Sequence, residues 1–217
     1  MPLQFKLTKY VHACLLLESE KATVLIDPGQ MSFESGLFTA NSLQRLDAIA
    51  ITHEHFDHFY LPFVQQLVQW FPHVKIVSPS SLKAQLTASG IHVDNSTQLI
   101  HAQHAQHESM EPLSGGVTAD NILVDVLGVL THPGDSYQVD KSKAIFALPL
   151  AGPWGSAIDG IKLSDKLHPK YIMPIHDWMW NDHWRISMYE RCEVYFAGKG
   201  ISFLKPTDGQ TISLTLE

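Results

Sequence analysis

The chain has 217 residues, of which 45% are hydrophobic and 17% are charged. This composition excludes a disordered or fibrous protein, and the length suits one globular domain, which we expect to span residues 1–217. Lys and Arg total 15 against 22 Asp and Glu, and the net charge of -7 argues against a surface that binds nucleic acids. Thirteen residues are His, which is the commonest side-chain metal ligand, so the composition suggests bound metal ions.

The cysteine content and the apolar run near the N-terminus indicate the cellular compartment. Cys14 and Cys192 are too few for a disulfide framework or a cysteine-based zinc site. The apolar run at residues 11–17 contains His12 and ends at Glu18, so it fits neither a secretory signal nor a membrane span. We expect a cytoplasmic protein without a membrane partner.

Apolar patterns predict most of the secondary structure. Strands are expected at residues 3–8, 11–17, 21–26, 47–52, 75–77, 122–130 (a pair that turns at Gly128), 144–148, 171–175, 201–204 and 211–216. Helices are expected at residues 61–71, 80–89 and 158–167, and a last helix, with Trp184, Met188, Cys192 and Tyr195 on one face, ends at Gly198. This order favours an α/β fold with two facing sheets and outer helices, although propensity alone does not separate it from other α/β layouts.

The segment His-Glu-His-Phe-Asp-His at residues 53–58 follows a predicted strand. In an extended segment alternate side chains point the same way, so His53 and His55 can converge on one cation. Asp57 and His58 can then turn toward a second cation. Four nitrogen or oxygen ligands within six residues indicate a metal site.

Further ligands are expected from later strand ends, because each zinc ion takes about four ligands. Asp135 lies in a Gly-Asp turn after an apolar strand, and its two carboxylate oxygens can bridge two metals. His176 follows another buried strand. A third His is needed from the middle of the chain, where His101, His104 and His107 compete.

On these motifs, the chain resembles the metallo-β-lactamase-fold superfamily of metal-dependent hydrolases. Residues 53–58 fill its His-x-His-x-Asp-His signature, Asp135 and His176 match its later motifs in order, and the matching motifs run from His12 to Asp177. The resemblance implies a four-layer αββα sandwich of two mixed β-sheets with helices on the outer faces. Within the superfamily, the chain is similar to the compact branch of sugar-phosphate lactonases and uncharacterised hydrolases.

The resemblance also implies a ligand set. The first metal would be held by His53, His55 and the mid-chain His, for which we choose His107 over His104, and the second by Asp57, His58 and His176, with Asp135 between them. Two zinc ions are expected, with manganese or iron as alternatives. His12 and Asp27 are expected near the metals, where Asp27 could orient a ligating imidazole.

Two divalent ions about 3.5 to 4 Å apart produce a bridging hydroxide and polarise the electrophile, and Asp57 or Asp135 can aim that hydroxide as the catalytic group. The predicted function is therefore hydrolysis of an ester, lactone or phosphodiester bond in a small metabolite. The alternatives are a non-catalytic metal-binding or metabolite-sensing module and a compact nuclease or phosphodiesterase. Loop 36–38, Trp154 and Trp178 with Trp180 could form an apolar wall for the substrate, or could equally belong to the core.

Overall fold

The computed structural model describes residues 2–39, 42–94 and 97–216. Within these ranges the strands are β1 (Leu3–Lys9), β2 (Leu15–Ser19), β3 (Thr23–Ile26), β4 (Ala48–Ala50), β5 (Lys75–Val77), β6 (Ile100–His104), β7 (Ile122–Val126), β8 (Leu130–His132), β9 (Ile145–Pro149), β10 (Tyr171–Ile175), β11 (Ser202–Phe203) and β12 (Thr211–Leu216). The helices are α1 (Gln30–Glu34), α2 (Leu61–Trp70), α3 (Ser80–Ala88), α4 (Ala157–Leu167) and α5 (Asp182–Ala197). No helix in the described ranges is long and apolar enough to cross a lipid bilayer.

The strands form two six-stranded mixed sheets. The first has the order β12-β1-β2-β3-β4-β5, with antiparallel pairs up to β3 and parallel pairs from β3 to β5. The second has the order β11-β10-β9-β8-β7-β6, with parallel pairs up to β8 and antiparallel pairs from β8 to β6. The first sheet is built from the first half of the chain together with the C-terminal strand.

Alternating side chains along β2 show how the layers form. Leu15 and Leu17 pack in the core between the two sheets, whereas Leu16 packs on the opposite face with side chains of α2 and α3. On the outer face of the second sheet, Phe146 and Leu148 pack with side chains of α4 and α5. Strands with two buried faces read as continuous apolar runs, as these do. The predicted four-layer αββα sandwich is confirmed.

Two details of the predicted elements are wrong. The strand predicted at residues 11–17 begins only at Leu15, because His12 adopts a positive φ of 64° inside a turn. The buried face of α5 carries Tyr189, Cys192 and Phe196, whereas Trp184 and Tyr195 are exposed. The helix is rotated relative to the prediction because Tyr189 and Phe196 pack against Phe203 of β11. Helix α1 and strand β6 had no clear signal in the sequence, and the single domain over residues 1–217 stays a prediction.

A buried ion pair connects the end of β1 to the second sheet. Lys9 is fully buried, and its Nζ lies 2.6 Å from Asp177 Oδ2 and 3.0 Å from the Tyr189 hydroxyl. Asp177 lies in the loop after β10, and the Tyr189 hydroxyl of α5 also donates to its carboxylate. The pair therefore holds the first sheet, α5 and the loop after β10 together.

Replacing Lys9 with Met should lower the free energy of unfolding by about 3–5 kcal/mol, because the Asp177 carboxylate stays buried without its cation. Urea denaturation measures this loss. Adding Asp177→Asn to Lys9→Met should return part of the stability, since no uncompensated charge remains. A double variant whose loss equals the sum of the two single losses would contradict coupling between these residues.

The same pair predicts a dependence on acid. Burial alone would raise the pKa of Asp177, but the Lys9 ammonium and the Tyr189 hydroxyl lower it below its ordinary value. A carboxyl group with a lowered pKa stabilises the fold above its unfolded pKa of about 3.9, and this contribution is lost as the pH falls through the folded pKa. The stability difference between the wild type and Lys9→Met should therefore shrink as the pH falls from about 4 to about 2. A difference that is constant over this range would contradict the assignment.

Candidate metal centre

The candidate site lies at one edge of the sandwich, where strands of both sheets end. In the first sheet β1, β3 and β4 run in the same direction, and in the second sheet β6, β8 and β10 do so. Side chains that follow the carboxyl ends of such strands gather at one edge. The residues that follow these strands are His12, Asp27, 53–58, His107, Asp135 and His176.

A first group of ligating side chains consists of His53, His55, His107 and Asp135, whose ligating atoms all lie within 4.8 Å of one another. The ring centroid of His107 is 5.1 Å from that of His53 and 4.9 Å from that of His55. His55 is only half-buried, whereas the other three side chains are buried. The group is therefore shielded from water except on the side of His55.

A second group consists of His12, Asp57, His58 and His176, again within 4.8 Å of one another. His58 Nε2 lies 2.8 Å from His176 Nε2, and His12 Nε2 lies 3.1 Å from Asp57 Oδ2. The three imidazoles are buried, and Asp57 is half-buried. The second group thus also has one member in contact with solvent.

The carboxylate of Asp135 lies between the two groups. Its Oδ1 is 2.7 Å from His176 Nε2 and 3.0 Å from His58 Nε2. Its Oδ2 is 3.4 Å from His107 Nε2 and 3.7 Å from His53 Nε2. Each oxygen therefore faces one group, as a carboxylate that bridges two ions requires.

Several of these atoms are buried without a hydrogen-bond partner, namely His53 Nε2, His107 Nε2 and Asp135 Oδ1. Buried polar atoms are normally paired, since an unpaired one costs about 1–3 kcal/mol. Cations between the groups would take up these lone pairs, and imidazole with carboxylate is a donor set that suits zinc and similar metals. The residues present therefore fit a pair of divalent ions.

The charges in the site influence one another. Burial would raise the pKa of Asp135, but the imidazoles of His176 and His58 hold it well below its ordinary value. Burial lowers the pKa of His53 well below its ordinary value, and His58 adds to this effect. Burial would also lower the pKa of His58, but Asp135 and Asp27 raise it well above its ordinary value. A metal bound at His58 must therefore displace a proton.

Asp27 is buried behind the ligands. Its Oδ2 accepts a hydrogen bond of 2.6 Å from His58 Nδ1. Its carboxylate also accepts bonds of 2.7 Å from the backbone N–H and the hydroxyl of Thr52. With Nδ1 engaged, the Nε2 lone pair of His58 is directed into the site once its proton is displaced. Asp27 thus lies where it could orient the imidazole of His58, and this role stays a prediction.

Residues 6–176 match the family model described as the beta-lactamase superfamily domain. The chain belongs to this family. Protein Rv0786c of Mycobacterium tuberculosis is 28% identical over 181 residues, which cover 79% of this chain and 83% of that protein. UPF0173 metal-dependent hydrolase MJ1163 of Methanocaldococcus jannaschii is 27% identical over 190 residues, 78% and 83% of the two chains. The structure of Igni18, a metallo hydrolase from Ignicoccus hospitalis, has a TM-score of 0.70 at 18% identity and covers 99% of this chain and 100% of its own.

In this member of the beta-lactamase superfamily, the three mid-chain histidines occupy different environments. His101 and His104 lie on β6 with exposed side chains. His107 follows the strand and is buried, and its Nδ1 donates to the backbone oxygen of Glu108 at 2.6 Å. The pairing of β6 with β7 ends at His104, after which the chain turns toward Asp135. Of the three, His107 is thus the one that reaches the candidate site.

A cavity of about 310 Å³ opens beside the two groups. Its apolar lining consists of Met31, Phe56, Met110, Pro153, Trp154, Trp178 and Met179. Trp154 and Trp178 thus lie in the wall where the sequence suggested them. Phe38 of loop 36–38 instead packs against Tyr10 and Phe63 in the core beside α2, and Trp180 packs in the core under α4 and α5.

Sequence reasoning missed Asn121, which connects the loops that carry His107 and Asp135. Asn121 is fully buried, and its Nδ2 donates to the backbone oxygens of Ala105 at 2.9 Å and Pro133 at 3.0 Å. Its Oδ1 accepts a bond of 3.2 Å from the backbone N–H of Asp135. The only sequence signal is a polar residue directly before an apolar strand, which is too common to be specific.

His132 was also missed. Burial lowers its pKa to about 4, so the ring is neutral. Its Nε2 lies 3.1 Å from the backbone oxygen of Ala13, and its Nδ1 accepts from the backbone N–H of Gly134 at 3.2 Å. His132 therefore joins the turn after β1 to the turn that presents Asp135. Its position in the Thr-His-Pro-Gly-Asp segment is the signal that could have identified it.

Two glycines allow the loops to approach. A Cβ on Gly29 would lie 2.0 Å from the backbone oxygen of Asp57. A Cβ on Gly134, which has a φ of 59°, would lie 2.0 Å from Asn121 Oδ1. Side chains at either position would therefore push Asp57 or Asp135 away from its group.

If His107 is a ligand, His107→Ala should lower the metal content of the zinc-loaded, dialysed protein by about one ion per chain, since the first group loses a donor. Elemental analysis with protein quantification measures this ratio. His104→Ala removes an exposed imidazole from the same segment and is the matched control, for which we expect no loss. Equal metal contents in the two variants would contradict the assignment of His107.

Proposed function

We propose that this protein is a metal-dependent hydrolase that holds two zinc ions, with manganese or iron as alternative metals. The supporting observation is the pair of ligating groups on either side of Asp135, with buried lone pairs that have no partner. The first ion would be held by His53, His55 and His107, the second by Asp57, His58 and His176, and both by Asp135. The names of the M. jannaschii relative and of Igni18, both described as metal-requiring hydrolases, support the same class.

Bound divalent ions lower the pKa of water and polarise the carbonyl or phosphoryl oxygen of a substrate. The protein contributes the carboxylate that handles protons, and we assign this role to Asp57. Both carboxylates line the cavity, but Asp57 is half-buried, whereas Asp135 is almost completely buried among imidazoles, and we assign it the role of a ligand. Burial would raise the pKa of Asp57, but His58 and His12 hold it well below its ordinary value. Asp57 is therefore a carboxylate at neutral pH and can accept a proton from the attacking water.

His12 positions this carboxylate. Burial and the neighbouring His176 lower the pKa of His12 to about 4, so the ring is neutral at pH 7. With its proton on Nε2, His12 donates a hydrogen bond to Asp57 across 3.1 Å. This bond fixes the carboxylate on the cavity side of the second group.

The reaction consumes one water molecule. The water oxygen forms a bond to the carbonyl carbon or phosphorus, and the bond to the leaving oxygen breaks. The proton taken up by Asp57 is returned to the leaving oxygen, which leaves Asp57 as it began. A cavity of about 310 Å³ supports a small metabolite that carries an ester, lactone or phosphodiester bond.

The alternatives have less support. A nuclease would need cationic side chains beside the metals, and the described part of the cavity lining contains neither Lys nor Arg. A non-catalytic module has no need of an open cavity, whereas His55, Asp57, Asp135 and His176 all line this one.

Cys14 and Cys192 are free and buried, which supports a reducing compartment such as the cytoplasm.

Asp57→Ala should lower kcat by about 10²- to 10⁴-fold, because the proton acceptor is lost. Turnover of a panel of lactones, esters and bis-phosphodiesters should be measured together with the metal content of the same samples. Glu54→Ala is the matched control, because Glu54 is an exposed carboxylate of the same loop that bonds to Ser81 Oγ rather than to the site. We expect Glu54→Ala to keep wild-type turnover.

Metal removal tests the class of mechanism directly. Dialysis against a chelator should abolish turnover, and added zinc should restore it. Undiminished turnover by the metal-free protein would show that the hydrolase mechanism proposed here is wrong.

A further inference from the structure

The cavity beside the metal centre has a polar floor and an apolar wall. Its polar lining residues are members of the two ligating groups, and every other lining residue is apolar. The groups that can bind charge or hydrogen-bond a substrate are thus confined to the reacting end. The remainder of the substrate contacts Met, Trp, Phe and Pro side chains.

Charge at the cavity disfavours an anionic substrate tail. The floor contributes the carboxylates of Asp57 and Asp135, and the lining contains no Lys or Arg among the described residues. Lys9, behind the loop that carries His176, is fully buried and bound to Asp177. A phosphate or carboxylate placed away from the metals would therefore lose its hydration without gaining a cationic partner.

The wall is unusually open to water for apolar residues. Phe56 is 59% exposed, Trp178 is 53% exposed and Met179 is 56% exposed. Covering these side chains with a hydrocarbon group removes apolar surface from water, which favours binding. Trp154 packs edge to face against the rings of Tyr137 and His176, with centroid distances of 5.3 Å in both pairs, and these contacts hold it in place. The wall thus combines a fixed ring with deformable Met side chains that can follow a flexible chain.

We propose that the substrate of this site is an uncharged carboxylic ester or lactone that carries a hydrocarbon chain. This inference rests on the hydrolase function proposed above and names its substrate class. The carbonyl group lies at the metal centre, and the chain lies along Phe56, Trp178 and Met179. Water adds to the carbonyl carbon, the carbon–oxygen bond to the leaving group breaks, and the leaving oxygen takes a proton, which gives a carboxylic acid and an alcohol.

Turnover of p-nitrophenyl esters from acetate to octanoate by the zinc-loaded protein tests the proposal. kcat/KM should rise by up to about fourfold for each added methylene group. It should also exceed kcat/KM for bis(p-nitrophenyl) phosphate, which is anionic. Trp178→Ala and Met179→Ala should each lower the ratio of octanoate to acetate activity at least about fivefold, since each removes chain contacts. Trp184→Ala removes another exposed Trp (47%), outside the cavity, and should leave this ratio unchanged.

Binding of alkyl hydroxamates, measured by calorimetry, provides a readout that does not depend on turnover. Octanohydroxamate should bind at least about tenfold more tightly than acetohydroxamate, and Trp178→Ala should reduce this preference. A flat ester series, or a preference for the phosphodiester, with metal-dependent turnover retained would overturn the substrate class and leave the hydrolase function standing. Chain-length preference in binding without turnover of any ester, lactone or phosphodiester would refute the hydrolase function but retain the apolar occupant, and absence of both would refute the two together.

Discussion

The carboxylate of Asp135 is buried between two groups of imidazoles, and the surrounding structure keeps it there. Burial alone would favour the protonated acid, yet four neighbouring imidazoles, above all those of His176 and His58, hold its pKa well below the ordinary value. The pKa of His58 is raised, so its ring carries a proton that a bound cation would displace, whereas the buried Nε2 atoms of His53 and His107 have no hydrogen-bond partner. Cations between the groups would take up these lone pairs, and the arrangement therefore fits a metal centre.

The backbone around this centre adopts unusual conformations. Five non-glycine residues in the described ranges have a positive φ, and three of them, His12, Asp27 and His176, belong to the site. Each such residue costs of order 1 kcal/mol and persists only where the surroundings impose it. Asn121 bonds three backbone groups in two loops, and Asp27 bonds both the backbone and the hydroxyl of Thr52. Buried hydrogen bonds of this kind offset the strain and leave the ligating atoms little freedom.

How much of this could be read from the sequence depends on how local each feature is. Residues 53–58 form a compact pattern after a strand, so their convergence follows from strand geometry. The choice of His107 over His104 depends on where the β6–β7 pairing stops, and three evenly spaced histidines carry no information about that point. Asn121, Lys9 and Tyr189 act through partners that are distant in sequence, so periodicity cannot reveal them. The strand predicted at residues 11–17 failed for a related reason, because the backbone of Val11 in this turn bonds the side chain of Ser32, which is distant in sequence.

Several of the segments that carry the two ligating groups also carry part of the apolar wall. Phe56 lies between His55 and Asp57, and Met110 is three residues after His107. Met31 comes from α1, Met110 from the loop after His107 and Trp154 from the loop after β9. Trp178, in contrast, is two residues from His176, and Asp177 between them is fixed by Lys9 and Tyr189. Since fold does not determine substrate, changes at Met31 in α1 or at Trp154 in the loop after β9 can alter selectivity while the ligand geometry is preserved. Changes near Trp178 cannot be separated in this way, because the loop that the buried ion pair positions carries both Trp178 and His176 of the second group.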